Sequence, residues 1–308
     1  MSGRVWVITG ASSGLGLAIA TYVLQQGDKV IVTVRDPSKF PESLKVAGAH
    51  PLYLDMSSPD DIIRKVAADA IAVYGQVDVL VNNAATLAMG FGPLEEIDVP
   101  DVRSIFQVNL FAVLTFTQPF IAHFRTRRTG HILNITSNCA FASYPGWETY
   151  GATKAALNSY TEALASELKL FGVKVHLIIA GYFPSNIWPD DPEKAGIKLS
   201  EVYTDPETQG YDTWRRSKVN LTKAGTIGDM GKLAVRIHEI VAGVGLAGDV
   251  FSDVNHPEWV WVPLGINSGL DGLRVMADKL ENVKAYERIW RSVNVDSEGM
   301  AEMKAQSA

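Results

Sequence analysis

The 308-residue chain is 47% hydrophobic and 20% charged, enough apolar material for a large core and too ordered a balance for a disordered or collagen-like polymer. One cysteine excludes an internal disulfide, and a formal charge of −6 without a basic run excludes the positive surface that nucleic-acid binding uses. The chain enters an apolar strand without a basic-then-apolar leader. Apolar runs such as Val77 to Val81 and Val173 to Ala180 fall far short of the roughly 20 residues of a membrane helix, so a cytoplasmic protein without membrane contact is expected.

Short β-branched runs alternate with segments of helical period over the first 180 residues. The strands predicted are Val5 to Thr9, Lys29 to Val34, Pro51 to Leu54, Val77 to Val81, Gly130 to Thr136 and Val173 to Ile179. Nearly all their residues are apolar, which suits a parallel sheet covered on both faces. Helices are predicted over Gly14 to Gln26, Asp60 to Tyr74, Asp101 to Arg125 and Thr149 to Phe171. This alternation predicts an α/β fold, a doubly wound Rossmann sheet, with ligands at the carboxyl ends of the strands. Residues 185–228 are rich in Pro, Asp, Gly and aromatics and read as a substrate loop or lid. A helix over Asp229 to Val244, a strand over Trp259 to Pro263 and helices over Leu270 to Arg291 follow, with a frayed tail at 296–308. The whole chain, 1–308, reads as a single domain.

The first strand runs into Thr9-Gly10-Ala11-Ser12-Ser13-Gly14-Leu15-Gly16 and then a helix. Glycines there allow a tight turn, let backbone N–H groups approach a diphosphate and let the helix pack on the strand. The second strand ends at Val34 and is followed by Arg35. An arginine there pairs with a 2′-phosphate, with Ser12 and Ser13 as neutral donors, which favours NADP(H). In the alternative, Arg35 is solvated and Asp36 supplies a ribose-binding acid, which restores NAD. Asp55 at the tip of the third strand is a candidate acceptor for an adenine amine.

Tyr150 and Lys154 stand four residues apart on one helix, so the phenol and the ammonium share a face. A nearby cation favours the phenolate and lowers the tyrosine pKa toward neutrality. Ser137 ends a buried strand, where its hydroxyl can bond a substrate carbonyl. Asn109 lies in an apolar helix, and its amide needs a backbone carbonyl, a water or a neighbour such as Lys154. Asn82-Asn83-Ala84-Ala85 follows the fourth strand at the same edge.

These residues, in this order and spacing, resemble the short-chain dehydrogenase/reductase family over about residues 4–185. The resemblance implies a catalytic tetrad of Asn109, Ser137, Tyr150 and Lys154. In it Tyr150 exchanges a proton with the carbonyl oxygen, Ser137 polarises the carbonyl, Lys154 holds the nicotinamide ribose and Asn109 anchors a relaying water. The nucleotide set is Gly10, Ser12, Ser13, Gly14, Leu15, Gly16, Arg35, Asp55, Asn83, Ala84, Tyr150, Lys154, Gly181, Phe183 and Ser185. Ala85 stands where the family has glycine, and Ala180-Gly181 where it has Pro-Gly, with Ser185 retaining a hydroxyl for the carboxamide. The Trp261-Val-Pro-Leu-Gly265 segment resembles that of longer members, which leaves a homodimer through the helices of Asn109 and Tyr150, or a monomer.

Phe141, Tyr144, Trp147 and Trp188, with Phe91, Tyr203, Tyr211 and Trp214, predict an aromatic pocket for a bulky hydrophobic carbonyl or alcohol. Cys139 reads as an inert buried thiol. The six histidines lack ligand spacing, so no metal is expected. A redox-neutral dehydratase, isomerase or cyclase and a non-enzymatic NADP sensor are the competing readings; the intact tetrad favours the reductase over both.

Overall fold

The computed structural model describes residues 3–87, 91–185, 187, 201–204, 225–251 and 260–293. Its seven parallel strands are β1 (Val5–Thr9), β2 (Lys29–Val34), β3 (His50–Tyr53), β4 (Val79–Asn82), β5 (Gly130–Ser137), β6 (Val173–Ala180) and β7 (Trp261–Leu264). They form one sheet in the order β3-β2-β1-β4-β5-β6-β7. The chain winds outward from β1 to β3, returns to the centre at β4 and proceeds to β7. The carboxyl ends of β1 and β4 therefore flank the point where the winding reverses, the place where such sheets leave a crevice.

Alternation along each strand builds two cores. Val5, Val7, Leu80 and Ile132 face one side, where α3 (Asp60–Tyr74), α5 (Ala112–Arg127) and α6 (Glu148–Leu168) pack. Trp6, Ile8, Val79, Val81 and Leu133 face the other, covered by α1 (Gly14–Gln25) and the helix Met230–Ala242. Phe116, Phe120 and Phe124, one turn apart on α5, are fully buried, each contributing about 2–3 kcal/mol of transfer free energy.

Two predicted boundaries move for physical reasons. β4 begins at Val79 and not Val77, because the Val77 backbone bonds side chains, its N–H donating to His123 Nε2 at 3.1 Å and its carbonyl accepting from Arg127, while the Asp78 carboxylate accepts from the Val5 N–H at 2.9 Å and from Arg127 at 2.7 Å. The helix predicted over Asp101 to Arg125 is α4 (Val99–Phe106), a π turn (Gln107–Phe111) and then α5. A single widened turn leaves the apolar period nearly intact, so sequence pattern does not reveal it. Together these segments form a 29-residue rod, Val99–Arg127, whose most apolar stretch has a mean hydropathy of 1.5. By length and composition this rod could cross a membrane, contrary to the expectation from uninterrupted apolar runs; half of that stretch is buried in the protein, where the three phenylalanines belong to the core. Most of the predicted lid and all of the predicted tail lie outside the described residues.

Candidate active site

The glycine turn is shaped by its neighbours. Gly10 and Gly14 have φ of 68° and 60°, a region that side chains disfavour. A Cβ on Gly10 would stand 2.9 Å from the Ala84 Cα, and one on Gly16 would stand 2.5 Å from Asn83 Nδ2. Asn83 Nδ2 donates to the carbonyls of Thr9 (2.9 Å) and Gly10 (3.1 Å), while Thr9 Oγ1 accepts from the Asn83 and Ala84 N–H groups at 3.0 Å each. Asn83 thus clamps the turn to the end of β4, so its amide serves the backbone where the sequence suggested a nucleotide contact.

Ser13 caps α1 by backbone alone, with no side-chain bond to the helix, and the first turn holds no acid. Its N–H groups and dipole are left to an anion. Ser185 lies over this turn, its Cβ 3.7 Å from where a Gly14 Cβ would be. Phe183 differs from expectation: its ring packs against Gly228 and Gly265 and the adjoining core, so only its backbone remains for a nucleotide.

At the tip of β2, Val34 is buried and Arg35 exposed. Asp36 accepts from the Ser38 N–H (2.9 Å) and hydroxyl (2.7 Å), and these bonds hold its pKa below the usual value. Asp55 likewise accepts from Ser57 N–H at 2.8 Å and hydroxyl at 2.7 Å; burial raises its pKa, but these bonds and the Arg35 charge outweigh it.

The four residues expected to form a tetrad lie toward the carboxyl ends of β4 and β5. Ser137 ends β5, and Tyr150 and Lys154 occupy one buried face of α6. Gly151 permits the approach of α6, since a Cβ there would stand 2.8 Å from the Cys139 carbonyl oxygen. The Ser137 hydroxyl bonds Asn138 Oδ1 at 3.3 Å and accepts from the Cys139 N–H at 3.2 Å. Lys154 Nζ donates to the Ile135 carbonyl at 2.9 Å and lies 5.7 Å from the Tyr150 ring centre. Asn109, on the π turn, accepts from Thr86 N–H and donates to Thr86 O, both at 2.8 Å, and its Nδ2 donates to Thr153 Oγ1 at 3.2 Å. Its amide is therefore satisfied by backbone and a threonine, locking the loop after β4 to α6.

Electrostatics depart from the predicted acidic phenol. Burial drives the Tyr150 pKa above its ordinary value, the nearby Cys139 adds to that, and Ser137 opposes it. Burial also pushes Lys154 down to about 8 and Cys139 up to about 11. The Lys154 ammonium is directed at a carbonyl of β5, and burial favours the neutral phenol. That is the form that gives a proton to a carbonyl oxygen.

The aromatic set divides. Trp147 meets both Tyr150 and Phe91 edge-on at 5.7 Å, and with Leu87 they form an apolar wall against which Cys139, Tyr144 and Ile187 pack. Phe141 is not on this wall: it stacks on Trp261 at 5.7 Å, among Leu177, Ile179 and Val275. Tyr144 lies between the two clusters, with its hydroxyl donating to Asp271 at 2.5 Å and so turned from a pocket role. Trp188, Tyr211 and Trp214 lie outside the described residues, and Tyr203 is bonded to Glu95. Leu87, Ile187, Asn138 and Asp271 are the residues the sequence did not single out. Among the described residues no group of three His, Cys, Asp or Glu could hold a metal ion.

Comparison with known proteins agrees with this geometry. The family described as short chain dehydrogenase matches residues 4–195. Retinol dehydrogenase 8 of Homo sapiens is 31% identical over 225 residues, 68% of this chain and 68% of that protein. A short-chain dehydrogenase from Streptomyces avermitilis superposes with a TM-score of 0.77 at 27% identity, covering 96% of this chain and 100% of that one. A metagenomic short-chain oxidoreductase solved in complex with NADP is 33% identical, covering 59% of this chain and 83% of that one, with a TM-score of 0.55.

Proposed function

This chain belongs to the short-chain dehydrogenases, and we propose that it is an NADPH-dependent carbonyl reductase and alcohol dehydrogenase acting on bulky hydrophobic ketones. The observation that carries the reading is a buried Tyr150 phenol walled by Trp147, Phe91 and Leu87, one helical turn from Lys154 and on the same sheet edge as Ser137. Gly10, Gly14 and Gly16, with the uncapped start of α1, form a cradle that fits a dinucleotide diphosphate. The bound nicotinamide supplies the hydride for the carbonyl carbon. Tyr150 gives its proton to the carbonyl oxygen, Ser137 donates a hydrogen bond to that oxygen, and Lys154 holds the ribose hydroxyls. Asn109 keeps the loop after β4 in register with α6. Alcohol oxidation is the reverse path.

NADP(H) is favoured because Arg35 is the exposed residue at the tip of β2 while Asp36 is bound into its own turn by Ser38. The relative in complex with NADP agrees with this choice. A hydrophobic substrate follows from the apolar wall, and the similarity to an enzyme named for retinol supports it. A homodimer would form through α5 and α6, near the exposed Tyr160 and the exposed Phe111 of the π turn.

The test follows absorbance at 340 nm with NADPH or NADH and a ketone panel. Wild type should prefer NADPH and show a higher kcat/KM for aryl or polycyclic ketones than for acetone-like ones. Tyr150→Phe should lower kcat by about 10²-fold or more. Equal turnover of acetone refutes the pocket, and full activity of the variant refutes the role of the phenol.

A further inference from the structure

A polar chain connects the C-terminal helix, Ile266–Ala285, to Ser137. Asp271, on the second turn of that helix, places Oδ2 against Asn138 Nδ2 at 2.8 Å and the Tyr144 hydroxyl at 2.5 Å. Asn138 directly follows Ser137, and its Oδ1 lies 3.3 Å from the Ser137 hydroxyl. Ser137 Oγ also accepts from the Cys139 N–H at 3.2 Å.

The chemistry of the groups fixes the polarity of this chain. A carboxylate only accepts, so Asn138 must turn its NH2 to Asp271 and its carbonyl oxygen to Ser137. In the substrate-free protein the Ser137 proton then points at Asn138 Oδ1 in a long bond of 3.3 Å and one lone pair takes the Cys139 N–H; a bound carbonyl draws that proton from the long bond to its own oxygen. With the amide reversed, Nδ2 would face Ser137 and occupy a lone pair, and the hydroxyl would turn. The helix that supplies Asp271 is itself fixed: Ser268 Oγ donates to the Ile179 carbonyl at 2.8 Å, and the Gly181 N–H donates to the Leu264 carbonyl at 2.8 Å just before the helix begins. Asp271 is only 22% exposed, so its bonds are shielded from water.

We propose that Asp271 is a positioning residue for the reaction, setting the direction of the Ser137 hydroxyl through Asn138. The proposal rests on the reductase reading for the role of Ser137. It assigns the C-terminal helix a part in ordering the site from a position 133 residues downstream of Asn138.

The experiment uses the full-length protein, NADPH and the most rapidly reduced aryl ketone of the panel, with crystal structures of wild type and Asp271→Ala as a readout free of substrate. Asp271→Ala and Asn138→Ala should each lower kcat about tenfold, with KM for NADPH unchanged. Asp271→Asn, whose amide oxygen can still accept at the Oδ2 position, should recover at least a third of the wild-type kcat. Arg274→Ala, which removes the exposed cation 3.5 Å from the other carboxylate oxygen, should leave kcat within twofold. In the Asp271→Ala crystal the Asn138 amide should leave Ser137 Oγ. Wild-type kcat in Asp271→Ala, or Asn138 and Ser137 unmoved in its crystal, overturns the proposal. Failure of the underlying reading looks different: Ser137→Ala and Tyr150→Phe would then retain full activity, or wild type would reduce no ketone at all.

Discussion

Lys154 shows a charge held against the interest of the fold. Its ammonium is buried, and burial brings its pKa down to about 8, with only a small opposing effect from Cys139. An unfolded chain keeps its lysines near 10.4, so between about pH 8 and 10.4 it binds more protons than the folded protein. Stability from this residue therefore rises with pH through that window, and below pH 8 the folded protein carries the full penalty. That penalty is about 3 kcal/mol, partly offset by the bond to Ile135, about 1 kcal/mol. Lys154→Met should raise the unfolding free energy of nucleotide-free protein at pH 7 by about 1–2 kcal/mol, and the gain should vanish toward pH 10, measured by urea titration at both pH values. A variant less stable than wild type at pH 7 contradicts this account. At this scale the sequence is informative where chemistry depends on local spacing: Tyr150 and Lys154 are one helical turn apart wherever that helix is placed. It is silent on Asp271, an ordinary helical carboxylate until a turn 133 residues away comes to meet it.

Small departures from regular elements decide which side chains reach the site. Phe141, Tyr144 and Trp147 follow one another between Ser137 and Tyr150, so sequence alone assigns them to one pocket. The 3-10 turn Asn138–Ala140 breaks the set, sending Phe141 toward β7 and leaving Trp147 against Tyr150. The π turn acts similarly for Asn109, whose helical placement was readable while its widened turn was not. Gly151 is the third such device. Gly151→Ala should gain about 1 kcal/mol of helix propensity yet force α6 from the Cys139 carbonyl, 2.8 Å from the new methyl group. The expected outcome is a Tm within a few degrees of wild type and kcat reduced about tenfold or more. Unchanged kcat would show that close contact between α6 and the turn after Ser137 is unnecessary.

Across the molecule, the parallel sheet was legible because strands buried on both faces read as unbroken apolar runs, and their spacing left room only for crossovers. The edges were less legible: β3, with polar or exposed residues at both ends, begins at His50 and not Pro51, and β7 begins at Trp261. Winding outward in both directions from the centre brings the glycine turn after β1, the loop after β4 and Ser137 at the end of β5 to one edge of the sheet, although 127 positions separate Gly10 from Ser137. The C-terminal helix then closes on that edge through Ser268 and Asp271. In the proposed reaction all of this serves one chemical event, the arrival of a hydride and a proton on the same carbonyl. Mass spectrometry of the product formed from an aryl ketone and NADPH carrying deuterium at the transferable position of C4 measures it directly. The account predicts an alcohol with one deuterium on the carbinol carbon, its formation suppressed in Tyr150→Phe; a rearranged or dehydrated product without deuterium would contradict it.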